Sequence, residues 1–150
     1  MRVLIAEDDL ISRRLLQSYL QKWGHDVVAV NDGSDAWRLF EQEAFPLVIS
    51  DWMMPEMDGP ELVRRIRDHS RPGYTYVILV TGRSQKEDVV AGIEAGADDF
   101  ITKPFDRDEL HARLRTGERI ITLERKLEEQ NRALRAAQTV LQSNAPPSAT

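Results

Sequence analysis

The sequence has no cysteine among its 150 residues. Disulfide bonds, thiolate catalysis and cysteine-based zinc or iron–sulfur sites are therefore excluded. It also has no apolar run near the roughly 18 residues that span a bilayer, and Met1 leads into Arg2 without the features of a signal peptide. We therefore expect a cytoplasmic protein that does not associate with a membrane.

Basic residues are the minority: 20 Lys and Arg stand against 25 Asp and Glu, giving a formal net charge of −5. Residues 1–116 carry 21 acids and 15 bases, a net charge of −6, whereas residues 117–150 carry 4 acids and 5 bases, a net charge of +1. An acidic balance argues against a protein that coats nucleic acid. We expect no direct binding of nucleic acid.

Short, continuous apolar runs predict strands that are covered on both faces, as in a parallel sheet. They occupy residues 3–6, 27–30, 47–49 and 77–80, with a weaker fifth run at residues 100–101. Helical patterns fill the intervals. Right-handed crossovers between such units give a doubly wound α/β fold with a five-stranded parallel sheet over residues 1 to about 120.

The helical patterns have recognisable ends. The first helix, over residues 10–23, places one apolar stripe toward the core, formed by Ile11, Leu15, Leu16, Tyr19, Leu20 and Trp23. The second and third are predicted over residues 36–44 and 61–68. Capping boxes at Ser84 with Glu87 and at Asp106 with Glu109 predict the starts of the fourth and fifth helices.

The fifth helix continues past the compact domain as a heptad pattern. Position a holds Ile120, Leu127, Leu134 and Leu141, and position d holds Leu123, Gln130 and Ala137. This pattern predicts a coiled coil and a homodimer through the C-terminal helix, and Arg119 at g with Glu124 at e suits a parallel pair. The alternative is a solitary amphipathic helix that frays. The predicted organisation is a domain over 1–119, a coiled-coil extension over 120–142 and a disordered tail over 143–150.

Polar residues follow the predicted strands where each strand ends. Glu7, Asp8 and Asp9 follow the first run, Asp51 the third, Thr81 the fourth, and Lys103 and Pro104 the fifth. Binding sites of open α/β sheets form at the carboxyl ends of the strands, so we expect three aspartates, a hydroxyl and an ammonium group to converge there.

Clustered carboxylates repel each other, and a hard divalent cation such as Mg²⁺ removes the conflict. One aspartate then stays ionised and acts as a nucleophile toward phosphorus, while the cation and the lysine neutralise the transferring oxygens. Each residue also has an ordinary structural interpretation: Asp8 or Asp9 as a helix cap, Asp51 as a turn residue, and Lys103 as a surface lysine. The coincidence of all of them at matching strand ends favours the functional interpretation.

The sequence resembles a response-regulator receiver domain of two-component systems over residues 1 to about 120. The segments that carry the resemblance are Ile5-Ala6-Glu7-Asp8-Asp9, Asp51-Trp52-Met53-Met54-Pro55-Glu56-Met57-Asp58-Gly59, Val80-Thr81-Gly82 and Gly96-Ala97-Asp98-Asp99-Phe100-Ile101-Thr102-Lys103-Pro104-Phe105. The resemblance implies a CheY-like fold with the flavodoxin-like strand order 2-1-3-4-5. The stretch from Leu114 onward resembles the helical linkers that precede diguanylate cyclase or PP2C-like phosphatase domains.

The resemblance also implies roles for individual residues. Asp51 accepts a phosphoryl group from a sensor histidine kinase or a phosphotransfer protein. Mg²⁺ is held by Asp9, Asp51 and the carbonyl of Met53, with Asp8 acting through water. Lys103 contacts the phosphoryl oxygens, and its bond to Pro104 is cis. Thr81 and Phe100 form a switch pair in which the hydroxyl moves toward the phosphoryl group and the ring turns inward.

We expect a stand-alone receiver, not an enzyme, that switches dimerisation or the binding of an unknown downstream effector. Three alternatives remain open: a haloacid-dehalogenase-like aspartyl phosphohydrolase, the truncated receiver of a cyclase or phosphatase regulator, and a scaffold with a vestigial site. The phosphohydrolases usually carry a second aspartate two residues after the nucleophile, where this sequence has Met53.

Overall fold

The fold is an open α/β sandwich of five strands and five helices, seen in a computed structural model that describes residues 1–69, 73–82 and 86–143, the first three residues of the last range by their backbone alone. The strands are β1 (Arg2–Ala6), β2 (Asp26–Val30), β3 (Leu47–Asp51), β4 (Tyr76–Thr81) and β5 (Asp99–Thr102). The helices are α1 (Leu10–Lys22), α2 (Gly33–Gln42), α3 (Gly59–Asp68), α4 (Lys86–Ala95) and α5 (Arg107–Ser143).

All strands are parallel and lie in the order β2-β1-β3-β4-β5, which confirms the predicted fold class and topology. The register aligns Ala6 of β1 with Ser50 of β3, and Asp51 of β3 with Val80 of β4. Thr81 of β4 is in turn aligned with Thr102 of β5. The carboxyl ends of β1, β3, β4 and β5 therefore meet at one edge of the sheet.

Two apolar layers cover the faces of the sheet. On one face, Ile5, Ile49 and Ile78 pack against buried residues of α1 and α5. On the other face, Leu4 and Val48 belong to a cluster with buried residues of α2 and α3 and with Ala95 of α4. Strands covered on both faces have no solvent side, which is why the sequence shows continuous apolar runs in place of alternation.

The inward stripe predicted for α1 is only partly correct. Leu16 and Leu20 are fully buried, but Ile11 is 77% exposed and Leu15 is also exposed. Ile11 precedes Leu16 by five residues and so lies about 140° around the helix from it. Both exposed residues border a cavity with Pro104 and Phe105 instead of entering the core.

Aspartate caps set the starts of three helices. Asp9, Asp32 and Asp58 accept hydrogen bonds from the backbone N–H groups three residues ahead. The cap at Asp32 starts α2 at Gly33, three residues before the predicted start. Asp106 accepts from the N–H groups of Asp108 and Glu109, as its capping box predicts. Ser84 and the side chain of Glu87, which form the other predicted capping box, lie outside the described part of the structure.

Helix α5 has 37 residues and serves two parts of the molecule. Leu110, Leu114, Gly117 and Ile121 are buried against the sheet, and the helix then runs on to Ser143 with its side chains largely exposed. Ser143 is helical, whereas the remainder of the predicted disordered tail, residues 144–150, lies outside the described residues. No helix in the described part of the chain is long and apolar enough to cross a membrane.

Candidate phosphoacceptor site

Three carboxylates from two strand ends form the centre of the site. Glu7 and Asp8 follow β1, Asp51 ends β3, and one oxygen from each lies within 4.8 Å of the others. Glu7 is fully buried and Asp51 is nearly so, whereas Asp8 is exposed. The cluster therefore opens to solvent on the side of Asp8 and is closed behind Glu7.

Lys103 joins this cluster from the end of β5. Its Nζ donates to Oε1 of Glu7 at 2.6 Å and to Oδ2 of Asp51 at 3.2 Å. The Lys103–Pro104 peptide bond is cis, as the resemblance implied. The structure thus brings Asp8, Asp51 and Lys103 together as predicted.

Asp9 does not join the cluster, contrary to its predicted position on the metal. Its Oδ2 accepts a hydrogen bond from the backbone N–H of Ser12 at 2.8 Å and caps α1. This contact, with the nearby positive charges of Lys103 and Arg13, lowers the pKa of Asp9 below its ordinary value. Among the described residues, the third carboxylate of the cluster is Glu7.

Burial dominates the electrostatics of the site. Desolvation raises the pKa of Glu7 to about 7, although the hydrogen bond from Lys103 opposes the shift. Desolvation also raises the pKa of Asp51, again against the charge of Lys103. For Lys103, burial favours loss of the proton, but the contacts with Glu7 and Asp51 outweigh it and raise the pKa. The ammonium group of Lys103 therefore stays charged, and the clustered carboxylates around it repel one another.

The donor set fits a hard divalent cation. Oε2 of Glu7 is buried and has no hydrogen-bond partner among the described residues. Three carboxylates share a single lysine, so at neutral pH their charge exceeds what Lys103 offsets. Mg²⁺ prefers such oxygen ligands and keeps several waters, which the open side at Asp8 admits.

Backbone contacts hold Asp51 in place. The N–H of Trp52 donates to Oδ1 of Asp51 at 2.9 Å, and the N–H of Gly59 donates to the carbonyl of Trp52 at 2.9 Å. A Cβ on Gly59 would lie 2.5 Å from the carbonyl oxygen of Asp51, so only glycine allows this approach. Met53 follows in the same loop with an exposed side chain. The role of its carbonyl on the metal stays a prediction.

The proposed switch residues occupy neighbouring strands. Thr81 is buried at the end of β4, and its carbonyl accepts from the N–H of Lys103 at 2.8 Å. The ring of Phe100 is partly buried, with its centroid 6.5 Å from that of Trp52. A Cβ on Gly92 of α4 would lie 2.5 Å from this ring.

Sequence reasoning missed three residues that shape the site. Glu7 directly follows the first apolar run, but its residue type alone does not distinguish its role from those of Asp8 and Asp9. Trp52 and Gly92 form the contact surface of the Phe100 ring. The sequence carries no local signal for Gly92, because the contact joins α4 to a strand that follows it.

Comparisons with known proteins agree with this geometry. The family described as the response regulator receiver domain matches residues 3–115. The transcriptional regulatory protein CseB of Streptomyces coelicolor is 42% identical over 113 residues, which is 75% of this chain and 47% of CseB. GltR of Pseudomonas aeruginosa, also a transcriptional regulatory protein, is 40% identical over 113 residues, again 75% of this chain and 47% of the relative.

Solved structures share the fold. The chemotaxis response regulator CheY4 of Vibrio cholerae has a TM-score of 0.73 and 29% identity, covering 77% of this chain and 97% of that one. The receiver domain of the sensor histidine kinase PA1611 from Pseudomonas aeruginosa, with a magnesium ion in its active-site cleft, has a TM-score of 0.71 and 28% identity, covering 81% and 97%. The chain spans about half the length of the curated relatives it matches. By its matched domain, its sheet order and its edge of carboxylates and lysine, this chain belongs to the response regulator receiver family.

Proposed function

We propose that this chain is a phosphorylation-dependent signalling switch whose Asp51 accepts a phosphoryl group from a phosphohistidine. The donor is a sensor histidine kinase or a phosphotransfer protein, and the reaction depends on Mg²⁺. The observation that carries this proposal is the place of Asp51: nearly buried, bonded to Lys103, and grouped with Glu7 and Asp8 at the sheet edge.

In the proposed reaction, a carboxylate oxygen of Asp51 forms a bond to phosphorus as the bond from phosphorus to the histidine nitrogen breaks. The leaving imidazole keeps the electron pair of that bond and takes up a proton. Lys103 sits 3.2 Å from Oδ2 of Asp51, where its charge offsets the negative charge of the transferring oxygens. Asp8 and Asp51 would hold Mg²⁺, and the cation would supply further positive charge to those oxygens.

The new phosphoryl dianion then changes its surroundings. We propose that it draws the hydroxyl of Thr81 and the ammonium group of Lys103 toward Asp51. Phe100 of β5 is aligned with Leu79 of β4, two residues before Thr81. A shift of Thr81 therefore alters the space next to the Phe100 ring. The ring packs on Gly92 and Trp52, and its movement repacks α4 against β5.

An apolar surface beside the site supports the docking of a phosphodonor protein. Ile11, Leu15, Pro104 and Phe105 line a cavity of about 390 Å³ that also contacts Lys103. A donor protein that reaches Asp51 from the open side covers these exposed side chains. Burying exposed apolar groups of this kind stabilises a protein–protein contact.

The first prediction tests the phosphoacceptor. With Mg²⁺ and acetyl phosphate, the intact protein gains the mass of one phosphoryl group, and Asp51→Ala gains none. Asp35→Ala is the control, because Asp35 is a carboxylate of α2 paired with Arg38 outside the carboxylate cluster. Equal labelling of wild type and Asp51→Ala contradicts the proposal.

The proposal does not include turnover of an external substrate. The position two residues after Asp51 is Met53, an exposed side chain with no carboxylate to act as a general acid. We therefore expect no sustained hydrolysis of a generic phosphatase substrate. Turnover that depends on Asp51 would instead favour the haloacid-dehalogenase-like alternative.

A further inference from the structure

The exposed part of α5 carries a row of large apolar side chains, which we call the leucine stripe: Leu123, Leu127, Leu134 and Leu141. Each of them is more than half exposed. Together they follow heptad spacing over 19 residues, a helix length of roughly 28 Å. A helix this apolar on one side takes most of its stability from packing that side against a partner.

The leucine stripe faces away from the domain to which α5 belongs. The sheet-facing positions are Leu114, Gly117 and Ile121, and the same side of the helix continues with Glu128, whose Oε1 accepts from the N–H of Gly73 at 3.2 Å. Leu123 follows Ile121 by two residues and lies about 200° around the helix. No side chain of the described domain therefore occupies the stripe.

The leucine stripe also lies at the opposite end of the sheet from Asp51. Helix α5 begins after β5 at the carboxyl edge and passes Tyr76, the first residue of β4, at Gly117. Farther along, Arg125 and Glu128 border the segment 73–75 that precedes β4. The stripe thus starts beyond the amino edge, where none of the described residues belongs to the phosphoacceptor site.

We propose that the leucine stripe binds the same stripe of a second copy of this chain, in a parallel two-stranded coiled coil that forms whether or not Asp51 is phosphorylated. This inference goes beyond the proposed function, because the dimer is permanent. Phosphorylation of Asp51 then acts on two receivers that are already joined. It rests on the stripe's exposure, its direction and its distance from the site.

Gln130 selects the parallel, aligned arrangement. It occupies a d position between Leu127 and Leu134, inside the seam. In a parallel aligned pair the two Gln130 amides meet and hydrogen-bond, whereas in an antiparallel pair d faces a, and each amide meets a leucine without a partner. Arg119 at g and Glu124 at e of the second chain add an attractive pair only in the parallel arrangement.

The narrowness of the stripe favours two strands over three or four. Two of the six positions beside it are apolar, Ala133 and Val140 at g, and the other four are polar, namely Lys126 at g and Glu124, Asn131 and Gln138 at e. A larger bundle would bury these groups away from water, which costs free energy unless each finds a partner. A pair of helices leaves them in solvent.

Sedimentation measures the proposed dimer directly, and the first arm compares phosphorylation states. We expect a mass twice the 17.2 kDa of one chain both without additions and with Mg²⁺ and beryllofluoride. A dimer only with beryllofluoride would overturn the permanence of the coil, and a monomer in both would overturn the coil itself. Because phosphoryl labelling of Asp51 is measured separately, failure here leaves the proposed function standing.

The second arm tests the stripe with matched variants. Leu134→Asp buries two negative charges in one layer, so we expect the dissociation constant to rise at least about 100-fold. Ile93→Asp is the control, since Ile93 of α4 is 58% exposed against 60% for Leu134, and we expect its dimer to persist. Dissociation by Ile93→Asp alone would place the contact on the receiver and overturn the proposal.

The third arm tests direction and uses the absence of cysteine. Ala137→Cys puts a single thiol at a d position, and in a parallel aligned pair the two thiols face each other within disulfide reach. We expect rapid oxidation to a covalent dimer. If the dimer forms without this disulfide bond, the helices are antiparallel or shifted, and the parallel arrangement is wrong. If the stripe binds a different protein in place of a second copy, the proposed dimer is also wrong.

Discussion

Three consecutive acids after β1 perform three different tasks. Glu7 is buried and bonded to Lys103, Asp8 is exposed beside Asp51, and Asp9 caps α1. Their side chains are nearly the same chemically, so their tasks follow from position: the chain turns from strand to helix within these residues, and each side chain leaves in a different direction.

Substitutions of these acids separate metal binding from capping. Asp8→Asn removes a charged oxygen from the cluster, so we expect Mg²⁺ affinity to fall at least about tenfold. Asp9→Asn keeps a good capping side chain and leaves the cluster intact, so its affinity stays near that of wild type. Titration calorimetry with MgCl₂ measures both. A greater loss for Asp9→Asn would restore Asp9 as the ligand.

At the scale of elements, one side chain joins three of them at the amino edge of the sheet. Arg67 near the end of α3 donates to the carbonyls of Gly96 and Thr75 at 2.9 and 2.6 Å, and to Asp98 at 2.7 Å. Asp98 also accepts from the hydroxyl of Tyr74 and from the N–H of Val77 in β4. This network ties α3 to the starts of β4 and β5.

Loss of that network costs stability without touching the phosphoacceptor site. We expect Arg67→Met to lower the free energy of unfolding by roughly 2–4 kcal/mol, because Asp98 and two carbonyls lose a charged donor. Arg65→Met is the matched control on the same helix. Among the described residues Arg65 pairs with the solvent-accessible carboxylate of Glu61, so its loss costs about 0.5 kcal/mol or less. Urea unfolding measures both. Equal losses would show that the network contributes little.

At the scale of the whole molecule, the two edges of the sheet have different duties. At the amino edge, the charges of Arg67 and Asp98 neutralise each other in an ion pair. At the carboxyl edge, the carboxylates around Asp51 repel one another. This electrostatic repulsion lowers the stability of the metal-free fold. A cation that binds the folded chain and not the unfolded chain restores that stability by mass action.

This conflict gives a pH dependence with a definite sign. Because the pKa of Glu7 is raised from 4.5 to about 7 on folding, its contribution to metal-free stability is complete below pH 4.5 and is lost as the pH rises through 7. Mg²⁺ competes with that proton, so we expect the stabilisation by a given MgCl₂ concentration to be larger at pH 8 than at pH 6. Thermal unfolding measures it, and Glu7→Gln removes most of the difference. A larger gain at pH 6 would contradict this account.

Much of the architecture was predictable because its signals are local. Continuous apolar runs located the strands, and the residues that end them, Asp51, Thr81 and Lys103, were assigned to one edge by topology alone. The exchange of Asp9 for Glu7 was not predictable from residue type, because it depends on where β1 stops and α1 begins. The exposure of Ile11 was not predicted, because the six apolar residues of α1 cover a wider arc of the helix than the sheet can bury.

Contacts between distant segments were also beyond the sequence. The ring of Phe100 rests on Gly92 and Trp52, and Gly59 approaches the backbone of Asp51, yet neither contact has a pattern of its own. The roles of Thr81, Phe100 and the carbonyl of Met53 stay predictions.

The continuity of α5 makes it a lever. Its first half is anchored on the sheet by Leu110, Leu114 and Ile121, and its second half extends past the amino edge, beyond the contact of Glu128 with Gly73. From Leu123 to Ser143 the helix spans roughly 30 Å, so a tilt of about 10° at the anchor moves its tip by about 5 Å. A small repacking at the anchor is thereby converted into a displacement large enough to change what the tip of the helix contacts.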